Sequence, residues 1–238
     1  MKKGNAHVKI NNIHTSVINA MLETISVFRC KYSLDKVSLN TDYAGEILES
    51  VKNNRASLSC LSSLNAYDKY TFTHSINVFL LSIALGSALG LDKNRLHDLG
   101  NSALFHDIGK TLIPKKILNK KTMLTDFEFA LIKTHTTKGY LYAKEKLSIP
   151  EASLPGILQH HEKYDGSGYP SRIKQENIDI FARIISIADV YDAITSDRPY
   201  RKAQSHTEAI EFIRYTSGAN FDPEIAAMFT NEISFIQL

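Results

Sequence analysis

The stretch Phe181–Thr195, FARIISIADVYDAIT, decides the fold class of this chain. It is apolar on almost every side when wound as a helix, so we predict a central and buried helix. It nevertheless carries Asp189, and Asp192 follows one helical turn later. A buried carboxylate is costly unless it is paired, hydrogen-bonded or bound to a metal ion. The stretch therefore predicts a helical core with a polar site inside it.

The rest of the chain repeats the helical spacing of apolar residues, and alternating strand-like runs are rare. We therefore predict an all-α fold. The predicted helices span residues 12–31, 42–52, 56–66, 72–90, 93–107, 125–147, 151–162, 181–196, 205–216 and 223–234. Thr125 with Glu128, and Asp222 before Pro223, are typical helix starts.

Two loops and one boundary complete the predicted organisation. The loops, at residues 111–122 and 163–180, hold Pro114, Gly166, Gly168 and Pro170. We place a soft boundary near residue 66. It separates a small N-terminal helical extension, residues 1–66, from a main domain, residues 67–238.

Composition and charge exclude several classes of protein. The chain has 238 residues, of which 28 are basic and 25 acidic, and the net charge of +3 arises in the first quarter. No basic face is left for duplex nucleic acid, so we expect no DNA or RNA partner. Cys30 and Cys60 lie far apart and form no disulfide framework or zinc pair, which favours a reducing, cytoplasmic setting.

No segment predicts export or a membrane span. The first residues, MKKGNAH, lack the apolar run of a signal peptide. The longest uncharged stretch, Ser75–Leu91, has 17 residues and contains several serines and glycines. A membrane span needs about 20 mostly apolar residues. We therefore expect a buried core helix and a protein without a membrane partner.

Histidines are the predicted partners of the buried carboxylates. Neutral imidazole and carboxylate are the usual ligands of first-row divalent metals. The candidates are His74, His106, Asp107, His135, His160, His161 and Asp189. They are too many for one six-coordinate ion, but two ions that share a bridging carboxylate would use them all. The chemistry of such a pair is in-line displacement at phosphorus.

Cationic and aromatic side chains near these residues suit a phosphate ester. Lys110 follows His106 by four residues, so on a helix it would share that face and reach a phosphate oxygen. Arg198 and Arg201 offer planar donors that match phosphate. Tyr169, in the loop that follows Gly168, is placed to stack on a base.

From Tyr67 to Phe229 the chain resembles an HD-GYP domain, a subgroup of the HD phosphohydrolase superfamily that hydrolyses cyclic di-GMP in bacteria. The matching motifs are YDKYTFTHS, HDIGK, an isolated His135, HHEKYDGSGYP, ARIISIADVYDAITSDRPYRKA and FDPE. The resemblance implies an all-α HD-domain helical bundle with a dinuclear metal centre. The two divalent ions are commonly iron or manganese in this family.

The resemblance also implies a role for each matching residue. The metal ligands would be His74, His106, Asp107, His135, His160, His161 and Asp189, with Asp107 as the bridging carboxylate. Asp107 and Lys110 would be catalytic. The substrate contacts would be Lys110, Gly168, Tyr169, Pro170, Arg198 and Arg201.

The implied activity is hydrolysis of cyclic di-GMP to linear pGpG, and in some members to GMP, by a hydroxide that two metal ions activate. Two alternatives stay open. One is a phosphodiesterase for 3′,3′-cyclic GMP-AMP, and the other is a non-catalytic cyclic-dinucleotide-binding adaptor that contacts diguanylate cyclases. A diguanylate cyclase partner and a homodimer through residues 1–66 are further expectations.

Three features depart from the family pattern. Members with a third metal have a glutamate one turn before the first histidine, where this chain has Tyr70, so we predict two metals. Residues 171–176 read SRIKQE, where the family usually has glycines. Residues 1–66 match no recognised sensor domain.

Overall fold

The computed structural model describes the backbone of residues 2–32, 41–197 and 202–234, and the side chains of residues 15–31, 44–197 and 202–231. Arg198 and Arg201, which the sequence predicts to contact substrate, lie outside the described residues. Their role therefore stays a prediction.

The described residues form twelve α-helices joined by short loops and 3₁₀ helices, and they contain no β-strand. The α-helices are α1 (Lys2–Tyr32), α2 (Thr41–Asn53), α3 (Arg55–Tyr67), α4 (Lys69–Ala88), α5 (Lys93–Phe105), α6 (Lys115–Leu118), α7 (Asp126–Lys133), α8 (His135–Lys146), α9 (Leu154–Gln159), α10 (Ile180–Thr195), α11 (His206–Tyr215) and α12 (Pro223–Ser234). The predicted all-α fold class is confirmed.

Helices α4 and α10 form the centre of the core. Helix α4 packs against α5 and α10, and α10 also packs against α9. The apolar side chains of Ile76 and Phe79 on α4, and of Ile184 and Ile187 on α10, are completely buried. The stretch that predicted a central helix is therefore central.

Helix α4 also satisfies the length and composition of a membrane-spanning helix, and it is the one helix in the described part of the chain that does so. Within its most apolar 18-residue window, 72% of the residues are buried inside the protein. Burial on this scale is that of a core helix, as the sequence predicted.

The N-terminal helices share the apolar core of the rest of the chain. Helix α1 packs on α3 and α4, and α2 packs on α3 and α5. Val17 and Met21 of α1 are buried in the same cluster as the side chains of α4 and α10. Lys31 of α1 donates a hydrogen bond to the carbonyl oxygen of Thr195, at 2.8 Å. The boundary near residue 66 stays a prediction; α3 ends there, and Asp68 separates it from α4.

Several helix starts agree with the predicted signals. The hydroxyl of Thr125 accepts a hydrogen bond from the Glu128 amide, and the Glu128 carboxylate accepts one from the Thr125 amide. Asp222 accepts hydrogen bonds from the amides of Glu224 and Ile225, at 2.9 and 3.3 Å. Both side chains satisfy amides that lack a partner within the helix.

Four predicted helices are wrong in extent. The helix predicted at 12–31 begins at Lys2. The helix predicted at 125–147 is two helices, α7 and α8, which meet at Thr134. The helix predicted at 93–107 ends at Phe105, and the helix predicted at 151–162 is a 3₁₀ turn followed by α9, which ends at Gln159. Each break lies beside a histidine of the predicted metal site. The loops predicted at 111–122 and 163–180 contain α6 and short 3₁₀ turns.

Candidate metal centre

Asp107 lies at the middle of a buried cluster of histidines and aspartates, and only 1% of its surface is exposed. Two groups of potential ligand atoms surround it, and within each group the atoms lie within 4.8 Å of one another. One group is His74, His106 and Asp107, and the other is Asp107, His135, His160 and His161. Asp107 belongs to both groups, which is the position of a bridging carboxylate.

Three histidines of the cluster are held by the same local arrangement. His106 and His160 directly follow the last residues of α5 and α9, and His135 follows α7 by two positions. The Nδ1 atoms of His106, His135 and His160 lie 2.7, 2.8 and 2.9 Å from the carbonyl oxygens of Ala103, Ile132 and Ile157. The last carbonyls of a helix lack partners within it, so these rings satisfy them. A carbonyl only accepts, so each Nδ1 carries the proton and each Nε2 keeps its lone pair.

These lone pairs converge on Asp107. Its carboxylate oxygens lie 3.4 Å from Nε2 of His106, 3.4 Å from Nε2 of His135 and 4.0 Å from Nε2 of His160. The Nε2 atoms of His135 and His160 are 3.3 Å apart, and neither has a proton for the other. Nε2 of His106 and Oδ1 of Asp107 are buried without a hydrogen-bond partner. Buried acceptors that face one another require a cation, so this donor set fits a divalent metal.

His74 approaches Asp107 from the opposite helix, α4, and is held differently. Its Nδ1 lies 2.6 Å from Oδ2 of Asp192. Its Nε2 lies 3.0 Å from Oδ1 of Asp189 and 3.8 Å from Oδ2 of Asp107. A carboxylate that orients a histidine from behind is typical of metal ligands, since it fixes the ring and raises its basicity.

Asp192 is itself fixed by two further donors. Its Oδ1 accepts hydrogen bonds from Nδ2 of Asn77, at 2.8 Å, and from the hydroxyl of Ser196, at 3.0 Å. On the other side, the Tyr70 ring stacks on His74 with 6.0 Å between ring centroids and 6° between planes. The Tyr70 ring thus lies where family members with a third metal have a glutamate, the observation from which the sequence predicts two metals.

The pKa values of three of the buried rings shift in the opposite direction from that of His74. Burial lowers the pKa of His135 to about 4 and that of His161 to about 3, and it holds the pKa of His160 well below its usual range. Burial acts in the same direction on His74, but the carboxylates of Asp189 and Asp192 outweigh it and raise its pKa to about 9.

Lys110 contacts Asp107 directly. It lies in the 3₁₀ helix Ile108–Leu112, and its ammonium group donates to Oδ2 of Asp107. Burial acts to raise the pKa of Asp107, but the Lys110 ammonium holds that pKa well below its usual range. The prediction that Lys110 shares an α-helical face with His106 is wrong, because α5 ends before His106. The turn of the 3₁₀ helix brings Lys110 to the site instead.

Gly109 allows the HDIGK segment to lie directly against α8. A Cβ atom at this position would be 1.9 Å from the carbonyl oxygen of His135 and 2.6 Å from the amide nitrogen of Gly139. No other residue fits in this space. The glycine therefore fixes the separation between Asp107 and His135, which come from distant parts of the sequence.

The GYP segment is built against His161. A Cβ atom at Gly168 would be 2.3 Å from the amide nitrogen of Lys163 and 2.5 Å from the carbonyl oxygen of His161. The Tyr169 amide donates to that carbonyl at 3.1 Å, and the Tyr169 ring lies 4.8 Å from the His161 ring. Pro170 follows through a cis peptide bond. Tyr169 is thus held beside the cluster.

Glu162 secures the loop that follows. Its Oε1 accepts hydrogen bonds from the amides of Ser171 and Arg172, at 2.6 and 3.1 Å. Arg172 and Gln175 have φ of 55°, in the left-handed region that favours glycine. Because SRIKQE lacks the usual glycines, Arg172 and Gln175 adopt a strained backbone conformation. The buried Glu162 carboxylate helps to hold Arg172 in it.

A cleft of about 570 Å³ opens beside the cluster. This volume is in the range of sites for small molecules. The cleft is bounded by residues of the cluster, the GYP segment and α7, among them His160, His161, Asp189, Gly168, Tyr169, Pro170, Phe129 and Lys133.

The structure brings all of the predicted metal ligands together at one site. Of the predicted substrate contacts, Arg198 and Arg201 lie outside the described residues. Two supporting residues were missed. The sequence predicted that Asp192 is a buried carboxylate but not that it orients His74. It predicted no role for Glu162, which lies in the HHE motif. Its burial, at 3% exposed, is visible only in the fold.

Comparison with known proteins agrees with this geometry. A family model described as HD domain matches residues 48–225. The chain is 39% identical over 193 residues to a cyclic di-GMP phosphodiesterase of Pseudomonas aeruginosa, a match that covers 81% of this chain and 46% of the relative. It is 36% identical over 152 residues to 3′3′-cGAMP-specific phosphodiesterase 1 of Vibrio cholerae, with 64% of this chain and 35% of the relative covered.

A solved structure shows the same fold. It is described as an HDG"Y"P protein of Bdellovibrio bacteriovorus and aligns with a TM-score of 0.60 at 22% identity, over 94% of this chain and 71% of that one. The chain spans less than half the length of the two curated relatives. The family model, the relatives and the histidine cluster lead to one conclusion: the chain belongs to the HD domain family, in the HD-GYP group that its motifs indicate.

Proposed function

We propose that this protein is a metal-dependent phosphodiesterase that hydrolyses cyclic di-GMP to linear pGpG, with GMP as a further product. The observation that carries the proposal is the shared Asp107, which joins two groups of metal-type ligands beside a cleft of nucleotide size. Paired ions are suited to phosphodiester cleavage because together they activate water and neutralise charge on the phosphate.

The ligands we propose are His74, His106, Asp107, His135, His160, His161 and Asp189. This nitrogen and oxygen set suits iron or manganese. Lys110 keeps Asp107 ionised and is placed to stabilise negative charge on the phosphate. Burial holds the pKa values of His135 and His160 below physiological pH, so their Nε2 atoms are available as ligands.

The remaining predicted contacts concern the substrate. Tyr169 and Pro170 line the cleft, and Gly168 lets them approach His161. We propose that this segment positions the dinucleotide, with Arg198 and Arg201 on its phosphates. We place the enzyme in the cytoplasm, where free Cys30 and Cys60 stay reduced and cyclic dinucleotides are found.

Hydrolysis of 3′,3′-cyclic GMP-AMP is a second candidate, because one similar relative is named for that activity. Product analysis distinguishes the candidates. Protein loaded anaerobically with Fe(II) or Mn(II) is incubated with each dinucleotide, and the products are separated by chromatography. We expect pGpG from cyclic di-GMP at the higher rate. Product from cyclic GMP-AMP alone would move the assignment to that nucleotide.

Absence of product from both substrates, with two metal equivalents bound, would contradict the proposed enzyme. Tight binding of cyclic di-GMP without turnover would then favour the adaptor function, including contact with a diguanylate cyclase. Sedimentation of the same samples tests the expected homodimer.

A further inference from the structure

One wall of the cleft has no assigned role. It is formed by α7 together with Thr134 and the first turn of α8. We call this wall the α7 face, and it consists of Phe129, Ala130, Lys133, Thr134 and Thr137. The other side of the cleft carries Tyr169, His160 and His161.

Phe129 presents an aromatic ring to this cleft. It is 49% exposed, although a phenylalanine of its size gains free energy by burial. Phe127, two residues earlier on α7, is 77% exposed but does not line the cleft. An exposed aromatic ring inside a nucleotide-sized cleft is a platform on which a base can stack.

Lys133 links Phe129 to Tyr169. Its Nζ lies 5.1 Å from the centre of the Phe129 ring and 5.9 Å from the centre of the Tyr169 ring. No carboxylate pairs with it among the residues that the structure describes. A lysine ammonium only donates, and guanine offers two acceptors, O6 and N7, on one edge, where adenine has an amino donor in place of O6.

We propose that the α7 face is a purine-binding subsite, in which Phe129 stacks on the base and Lys133 selects guanine over adenine. The Tyr169 ring continues the subsite to the histidine cluster, 4.8 Å from the ring of His161. The inference rests on the proposed function for its substrate class, but the contribution of the base can be measured by binding alone.

The test compares three ligands of the metal-loaded protein by calorimetry: GMP, AMP and ribose 5-phosphate, which lacks a base. We expect GMP to bind about 10-fold more tightly than ribose 5-phosphate. Phe129→Ala should remove most of this difference and leave the affinity for ribose 5-phosphate unchanged, and Phe129→Trp should retain it. Lys133→Met should abolish a preference for GMP over AMP of about 5- to 10-fold.

Matched controls come from the same region. Phe127→Ala removes an exposed ring from α7 outside the cleft. Lys144→Met removes an ammonium that lies 5.9 Å from the Tyr140 ring, also outside the cleft. Neither control should change the affinity of any of the three ligands.

Three outcomes would overturn the subsite. The first is equal affinity of the wild-type protein for GMP and ribose 5-phosphate, and the second is an affinity difference between them that Phe129→Ala leaves unchanged. The third is an equal fall in affinity for both ligands in Lys133→Met, which would make Lys133 a phosphate contact. Turnover of cyclic di-GMP is assayed separately. Turnover with any of these three outcomes contradicts the subsite alone. No turnover with the expected affinities contradicts the proposed function alone.

Discussion

The histidines around Asp107 are held in two different ways. His106, His135 and His160 each donate Nδ1–H to a carbonyl at the end of a helix. His74, which shares a ligand group with His106, is held instead by the carboxylate of Asp192. Both arrangements aim Nε2 at the same aspartate.

The difference shows that orientation and charge can be set independently. A carbonyl is neutral, so burial controls the proton, and the pKa of His135 falls to about 4. The carboxylates beside His74 reverse the effect of burial and raise its pKa to about 9. At neutral pH the His135 and His160 rings therefore keep a free lone pair. The raised pKa of His74 instead favours a proton on each nitrogen until a cation displaces one.

Asp107→Asn should weaken metal binding at both ligand groups, because Asp107 belongs to both of them. We expect loss of both metal equivalents by elemental analysis and a fall in phosphodiesterase activity of more than about 1,000-fold. The exposed Asp126, at the start of α7, provides the control Asp126→Asn. A variant that folds by circular dichroism and retains both metals with full turnover would refute a bridging role.

Single histidine substitutions should show whether the two ligand groups bind metal independently. His135→Ala removes a ligand from the group of Asp107, His135, His160 and His161, and His74→Ala removes one from the group of His74, His106 and Asp107. We expect each variant to lose one of two metal equivalents, since the other group keeps its own donors. Elemental analysis after gel filtration measures this directly. Loss of both metals in each variant would mean that the two positions do not fill independently.

The residues of the site could be predicted because their types conflict with their surroundings. His74 and Asp189 stand in apolar helices, and HDIGK and HHE combine ligands at close spacing. Helix periodicity also located α10 to within one residue at each end, because its apolar faces dominate the sequence signal.

The breaks beside the ligands could not be predicted in the same way. Apolar spacing runs through Thr134 and past Phe105, so it predicts continuous helices. The Nδ1 atoms of His106 and His135 instead bond carbonyls near the ends of α5 and α7. Side-chain donors that replace backbone amides leave no trace in hydrophobic periodicity. The need for glycine at position 109 likewise arises from contact with His135 and Gly139 of α8, 26 and 30 residues later in the chain, and is visible only in the fold.

Gly109→Ala should disturb the carbonyl-held side through the backbone. The added methyl group would collide with the carbonyl oxygen of His135. We expect the free energy of unfolding of the metal-free protein to fall by about 3 kcal/mol in urea titrations. Gly45→Ala is the reference, because nothing lies within 4 Å of its Cβ position in α2. It should raise the free energy by about 0.5–1 kcal/mol. Equal effects of the two substitutions would show that the close approach is not maintained.

Asp192→Asn tests the carboxylate-held side with the smallest change. Asparagine can still accept the Nδ1–H of His74, but it removes the negative charge that raises the pKa of the ring. We expect the affinity of the His74 group for Mn(II) to fall about 10- to 100-fold in calorimetric titrations, with the other group unchanged. Ser196→Ala removes only one hydrogen bond to Asp192 and should cost less than Asp192→Asn. An unchanged affinity in Asp192→Asn would mean that orientation alone, without charge, makes His74 a ligand.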